Sequence, residues 1–155
     1  MPKFTKYSKL RPKRRIKGMF KCNLSNCKAC PFIKESKVVK KGSKNTWQLN
    51  QKFTCHSANV IYLIECKKER CKQRYIGHTK RKLKIRLAEH RGYVINNHKK
   101  RVTGAHFNTP GHSLSDLSII ALEHIELSEI DLLVERERFF IDKFNTIREG
   151  LNQQL

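Results

Sequence analysis

The sequence predicts a small α/β sandwich whose elements follow in the order β-β-α-β-α behind a cysteine-rich extension. Three patterns carry that expectation. Val60-Ile61-Tyr62-Leu63-Ile64 and Tyr75-Ile76-Gly77 are short apolar runs on either side of a charged Lys/Glu/Arg stretch at 67–74, which reads as a hairpin. Leu83 and Leu87, with Ile85 on an adjoining face, give a helical period reaching about Tyr93. Ser118-Ile119-Ile120-Ala121-Leu122-Glu123 suggests a third core strand, and Ile130, Leu133, Val134, Phe140, Ile141 and Phe144 form the apolar face of a longer last helix.

Taken in order, residues 1–21 hold Lys3, Lys6, Lys9, Arg11, Lys13, Arg14, Arg15, Lys17 and Lys21 and no acidic residue. Such a segment cannot bury enough apolar surface to offset its ordering entropy, so a flexible basic arm is expected. It would track phosphates, serve as a nuclear import signal, or simply keep the chain soluble. Residues 22–57 form the cysteine-rich extension, loop-like around Cys22, Cys27, Cys30 and Pro31 and polar from Lys34 to Asn45. Trp47, Leu49 and Phe53 alternate with polar neighbours, which predicts a short strand near 47–54 that brings Cys55 to the body of the domain.

The main domain is expected over 58–155, with strands at 59–65 and 74–78. Thr79 is placed to cap the first helix, and residues 96–110 read as irregular, punctuated by Gly104, Asn108 and Pro110. Ser128 would cap the last helix with Asp131 three residues on, and Gly150 fits a helix or turn terminus.

Composition narrows the partners. The 155 residues carry 34 Lys+Arg against 13 Asp+Glu, a formal charge of +21, which favours a polyanion and nucleic acid first. No apolar run approaches the roughly 18 residues a spanning helix needs, and no apolar segment follows the basic N-terminus, so an intracellular, non-membrane protein is expected. Six cysteines in that setting are expected to be reduced, with metal ligation as their leading use.

Tyr62, Tyr75 and Arg86 put two phenols and a guanidinium within reach of one surface, a constellation suited to phosphodiester chemistry. With Val60-Ile61-Tyr62, Tyr75-Ile76-Gly77, Arg86-x-x-x-His90, Glu135-Arg136-Glu137 and Gly150-Leu151-Asn152 in this order, the chain resembles the GIY-YIG endonuclease family. It looks most like the endonuclease domain of Penelope-like retroelements, where cysteines stand between the two tripeptides and histidines follow in the irregular segment. Those positions here are Cys66, Cys71, His106 and His112, and the Cys22/Cys27/Cys30 run with Phe53-Thr54-Cys55-x-Ser57 resembles the same subfamily. Val60 stands where the family name has glycine, and no reverse-transcriptase region is present.

The resemblance implies a GIY-YIG-type sandwich, a three-stranded antiparallel sheet flanked by helices, with a zinc-binding extension. It also implies metal-dependent nicking of DNA in the nucleus, with no small-molecule substrate. Tyr62 is then expected to activate water, its phenol lowered by nearby Lys and Arg charge, with Tyr75 assisting. Arg86 would hold the scissile phosphate through its donor fork, and Glu137 would bind Mg²⁺ or Mn²⁺. Glu135 and Glu137 lie about 200° apart on a helix, so only one can face the site. His90, on the Arg86 face, would donate a hydrogen bond or a proton, and Asn152 would belong to the site or hold the final turn.

Cys66, Cys71, His106 and His112, spaced C-x4-C and H-x5-H, would make a closed structural Zn²⁺ site. Cys22, Cys27, Cys30 and Cys55 would make a second, with His56 as an alternative ligand. A non-catalytic zinc-stabilised nucleic-acid-binding module and a structure-specific DNA-repair nuclease are the rival functions.

Overall fold

In the computed structural model, which describes residues 15–153, the centre is a three-stranded antiparallel sheet. Its strands, β5 (Val60–Cys66), β6 (Arg74–Thr79) and β7 (Leu117–His124), stand in the order β6-β5-β7. The central strand β5 is buried along nearly its whole length, as a strand covered on both faces must be. Helix α1 (Leu83–Ile95) covers one face through Tyr62, and α3 (Leu133–Phe144) packs on β5 and β6 from the other. The chain is therefore a mixed α/β protein, with strand boundaries within a residue or two of those expected. Among the described residues, no helix is long and apolar enough to cross a membrane.

Between Ile61 and Tyr62 the pairing of β5 with β7 slips, so that Leu122 has no opposite residue. A bulge of this kind frees a ladder group. The Leu122 carbonyl is taken by the Trp47 indole, which donates at 3.0 Å. That contact helps bind the cysteine-rich extension to the sheet, and it is reinforced by the edge-on packing of Trp47 against Phe140, 4.9 Å between ring centroids. Beside it, Ile33 bridges Ile119 in parallel, with the Lys34 amide donating to the Ile119 carbonyl. Met19, Val39, Leu49, Phe53 and Cys55 are consequently in one core with the sheet.

Several local expectations are corrected. The basic arm lies mostly outside the described residues, but its end does not hang free: β1 (Gly18–Met19) pairs in parallel with β4 (Lys52–Phe53). The stretch from Lys34 to Asn45 contains β2 (Val38–Lys40), which forms a hairpin with β3 (Thr46–Gln48), so the single strand near 47–54 is two short ones. Short alternating segments of this length carry too little pattern to separate in sequence. Within 96–110, Val102–His106 is a helix, α2, that packs on α1.

Thr79 does not cap α1. Its hydroxyl accepts instead from the Arg81 amide, and the first amides of the helix, Leu83 and Lys84, donate to the carbonyls of Ser57 and Cys55 at 2.8 and 2.9 Å. The extension thus supplies the acceptors that the helix start requires. Ser128 is likewise inside a 3₁₀ turn, Leu127–Leu132, rather than capping α3, and Val134 is exposed on that helix. The helix ends at Asn145 in the left-handed conformation (φ 53°), five residues before Gly150. Gly150 serves a different purpose: a Cβ there would lie 2.6 Å from the Arg74 carbonyl, where the C-terminal segment closes on β6.

Candidate functional site

Edge strand β6 positions the site. Strand alternation places Tyr75 and Gly77 on the α1 face and Arg74, Ile76 and His78 on the α3 face. A cleft of about 380 Å³ wraps this edge, lined by Tyr75, His78, Thr79, Lys80, Arg81, Arg86 and Glu137. Three of the expected residues, Tyr75, Arg86 and Glu137, therefore meet in one cavity. Glu137 is half-buried there against His78 Nδ1, whereas Glu135 is exposed elsewhere on α3, as the 200° argument required. With three cations and one carboxylate on its walls, the cleft suits an anionic substrate together with a bound cation.

Behind the cleft lies a chain of hydrogen bonds. Arg86 Nε donates to the Tyr62 hydroxyl at 3.0 Å, that hydroxyl pairs with His90 Nε2 at 2.8 Å, and His90 Nδ1 pairs with Thr103 Oγ1 at 2.9 Å. Arg86 Nη1 donates at 2.5 Å to Glu89, which also holds Arg81. Burial disfavours the Glu89 charge, but Arg86 and Arg81 outweigh it and hold the carboxyl below its ordinary range. Two of the three guanidinium nitrogens of Arg86 are thus committed, and the side chain lines the cleft beside the Tyr75 and Tyr93 phenols.

Two expectations about protonation are overturned. Tyr62 is fully buried, and burial, reinforced by Tyr75, pushes its phenol well above the usual range despite Arg86. It cannot serve as the expected water-activating base. His90 is also buried, and desolvation followed by the Arg86 charge lowers its pKa to about 3, so the ring is neutral rather than an imidazolium acid, and its one N–H and one acceptor nitrogen serve the hydrogen bonds to Tyr62 and Thr103. Both residues hold Arg86 in place. Tyr75 is only partly buried; desolvation still raises its pKa, with Arg86 opposing and Glu137 reinforcing.

Asn152 is not on the cleft. Its side-chain amide imitates a strand partner, accepting from the Ile76 amide at 2.8 Å and donating to the Ile76 carbonyl at 2.9 Å. It thereby closes the open edge of β6 between Tyr75 and Gly77. Val60 is buried at the start of β5 opposite Thr79 and is not among the residues lining the cleft. His78 and Glu89 are site residues that sequence reasoning missed. The available signals were adjacency to Tyr75-Ile76-Gly77 and the i,i+3 spacing from Arg86.

Two clusters are placed so that they could hold metal ions. The ligand atoms of Cys22, Cys27, Cys30 and Cys55 all lie within 4.8 Å of one another, and so do those of Cys66, Cys71, His106 and His112. A tetrahedral Zn²⁺ with 2.3 Å bonds to sulfur sets its thiolates roughly 3.8 Å apart. Cys22 and Cys55 stand 3.5 and 3.7 Å from Cys30. In the first cluster burial pushes Cys55 up, while Cys27, despite desolvation, is drawn down to about 7 by its Cys22 hydrogen bond. His56 lies outside the cluster.

In the second cluster Cys71 Sγ is 3.5 Å from His106 Nε2, close to the roughly 3.6 Å that a shared zinc ion would impose. His112 Nδ1 pairs with Thr109 Oγ1, which leaves its Nε2 buried and without a partner. An orphaned imidazole nitrogen beside two thiols fits a soft cation. Comparison with protein-family models, with curated proteins and with solved structures finds no match to this chain.

Proposed function

We propose that this chain is a metal-dependent DNA endonuclease of the GIY-YIG type that nicks phosphodiester bonds. The reading rests on the convergence of Tyr75, His78, Arg86 and Glu137 on one cationic cleft, with Tyr62 and His90 bracing Arg86 behind it. Arg86 would bind a non-bridging oxygen of the scissile phosphate, since two of its nitrogens are anchored and the fork is pre-oriented. Tyr75 would orient the attacking water from the cleft wall.

His78 would take the proton from that water. Its Nδ1 faces Glu137 Oε2, so the neutral ring carries its proton there and leaves Nε2 as the acceptor. Glu137 Oε1 has no partner among the described residues and would hold a divalent cation, Mg²⁺ or Mn²⁺. When bound, that cation supplies charge neutralisation at the leaving oxygen. The two cysteine-containing clusters would carry structural zinc, because each offers four protein ligands and no open position.

The decisive experiment is nicking of supercoiled plasmid in Mg²⁺, with an EDTA control, by the wild type and by Glu137→Ala. The variant should lose about 10³-fold or more in rate while keeping its affinity for DNA. Full activity in Glu137→Ala overturns the assignment. The thiol clusters and the +21 charge also suit a zinc-stabilised binding module, which would bind DNA in Mg²⁺ without nicking it. Faster cutting of branched than of linear duplex would mark a structure-specific repair nuclease.

A further inference from the structure

A cavity of about 810 Å³ lies apart from the cleft. It opens where the β2–β3 hairpin, the β5–β6 turn and the end of α3 come together. Lys40 and Lys41 enter from the hairpin, Lys67 and Lys72 from the turn, and Lys34 and Arg74 from its walls. Only two carboxylates face these six cations. One of them, Glu65, is already held by Lys34 at 2.8 Å and by Arg74 at 2.6 Å. The other, Glu149, lies in the turn that follows α3. Among the described residues, none of Lys40, Lys41, Lys67 and Lys72 is in an ion pair.

Crowding of like charge marks the same place. Lys143 stands beside Lys41, and desolvation together with that neighbouring ammonium pulls the Lys41 pKa down. Two lysines held together with no counter-charge leave an excess of positive potential that a mobile polyanion relieves. The protein's own N-terminal segment, Lys- and Arg-rich with no acidic residue, is the wrong sign to fill the groove.

We propose that this groove is a second nucleic-acid contact, binding the phosphodiester backbone of duplex DNA at a distance from the cleft. The inference rests on the nuclease reading only for its register. Arg74 on the groove wall and His78 in the cleft share one face of β6, four residues apart. At roughly 3.3 Å per residue they are about 13 Å apart, and with one phosphate per strand every 3.4 Å of helix axis the groove meets the backbone about four phosphates from the scissile bond.

The test compares full-length wild type, Lys40→Ala/Lys41→Ala, and a control, Lys28→Ala/Lys52→Ala, whose exposed lysines lie outside both cavities. Fluorescence anisotropy on a 20-base-pair duplex gives the slope of log Kd against log salt for each. Loss of two phosphate contacts lowers that slope by about 1.8, so raising salt from 50 to 200 mM costs the groove variant roughly 12-fold less affinity than the wild type. The control should change its slope by less than half as much. Equal slopes in groove and control variants overturn the proposal, as does a groove variant with the wild-type slope.

Nicking kinetics fix the register separately. On long duplex the groove variant should show a raised KM with unchanged kcat, and on duplex trimmed to two base pairs on the groove side it should match the wild type. A kcat defect on long duplex overturns the remote placement. Protein that binds with the expected slope change and never nicks leaves the groove standing and removes the nuclease reading.

Discussion

Replacing Gly77 with alanine should dismantle the site from behind without touching any group on the cleft. Gly77 pairs with Tyr62 across the β5–β6 ladder, and a Cβ at residue 77 would lie 2.5 Å from both the Cζ and the hydroxyl of Tyr62. Ordinary carbon contact begins at about 3.5 Å, so the ring must retreat by roughly 1 Å into a core already packed. The hydroxyl then leaves hydrogen bonds of 2.8 Å to His90 and 3.0 Å to Arg86. Overpacking costs about 1–3 kcal/mol and loss of the hydroxyl's buried hydrogen bonds about 1–3 kcal/mol, so the whole should reach about 2–6 kcal/mol. Against a typical domain stability of about 5–15 kcal/mol that is a large fraction. Urea denaturation in zinc-replete buffer measures it, with Tyr62→Phe as the reference that removes only the hydroxyl, about 1–3 kcal/mol. A Gly77→Ala protein within about 1 kcal/mol of the wild type, or no less stable than Tyr62→Phe, refutes the close-packing argument.

Acid should destabilise the fold through His90. Its pKa is about 3 in the folded chain against 6.5 ordinarily, so between those values the unfolded chain binds the extra proton and stability falls as pH drops below 6.5. The ceiling is about 5 kcal/mol, of which roughly 3 kcal/mol should be gone by pH 4.5. His90→Gln should flatten that part of the profile; urea midpoints that fall with acid equally in both proteins contradict the assignment. Metal analysis of purified protein should find two zinc ions per chain, one after Cys66→Ser/His112→Ala, and none in either site would remove the zinc proposal. Cys55→Ser should also slow nicking, because the Cys55 carbonyl accepts from the Lys84 amide at the start of the helix that carries Arg86. Hydrogen exchange at Leu83 and Lys84 should accelerate in that variant, and unchanged exchange with normal zinc content would contradict the coupling.

Legibility followed the strength of the local pattern. The runs at Val60–Ile64 and Ser118–Glu123 are long and apolar enough to be read as core strands, and they are. The β2–β3 hairpin was invisible because its burial depends on Trp47 reaching a carbonyl released by a bulge some seventy residues away. Thr79 looked like a cap because hydroxyls usually are, yet the amides of Leu83 and Lys84 found acceptors in the extension. The protonation of Tyr62 was read with the wrong sign for a related reason. Sequence displays the nearby positive charges but not the desolvation that outweighs them.

Residue type and spacing by themselves determined the sheet, the two helices that cover it, the excess of positive charge, and that only one of Glu135 and Glu137 could face a given side of the last helix. All of these depend on period or composition, which a linear chain carries in full. Tertiary structure alone decided that Tyr62 and His90 brace Arg86 from within, that His78 meets Glu137, that Asn152 seals a strand edge, and that four lysines with no ion pair among the described residues line a second cavity. Each depends on burial and on distances between residues far apart in the chain, and those come into being only when the core closes.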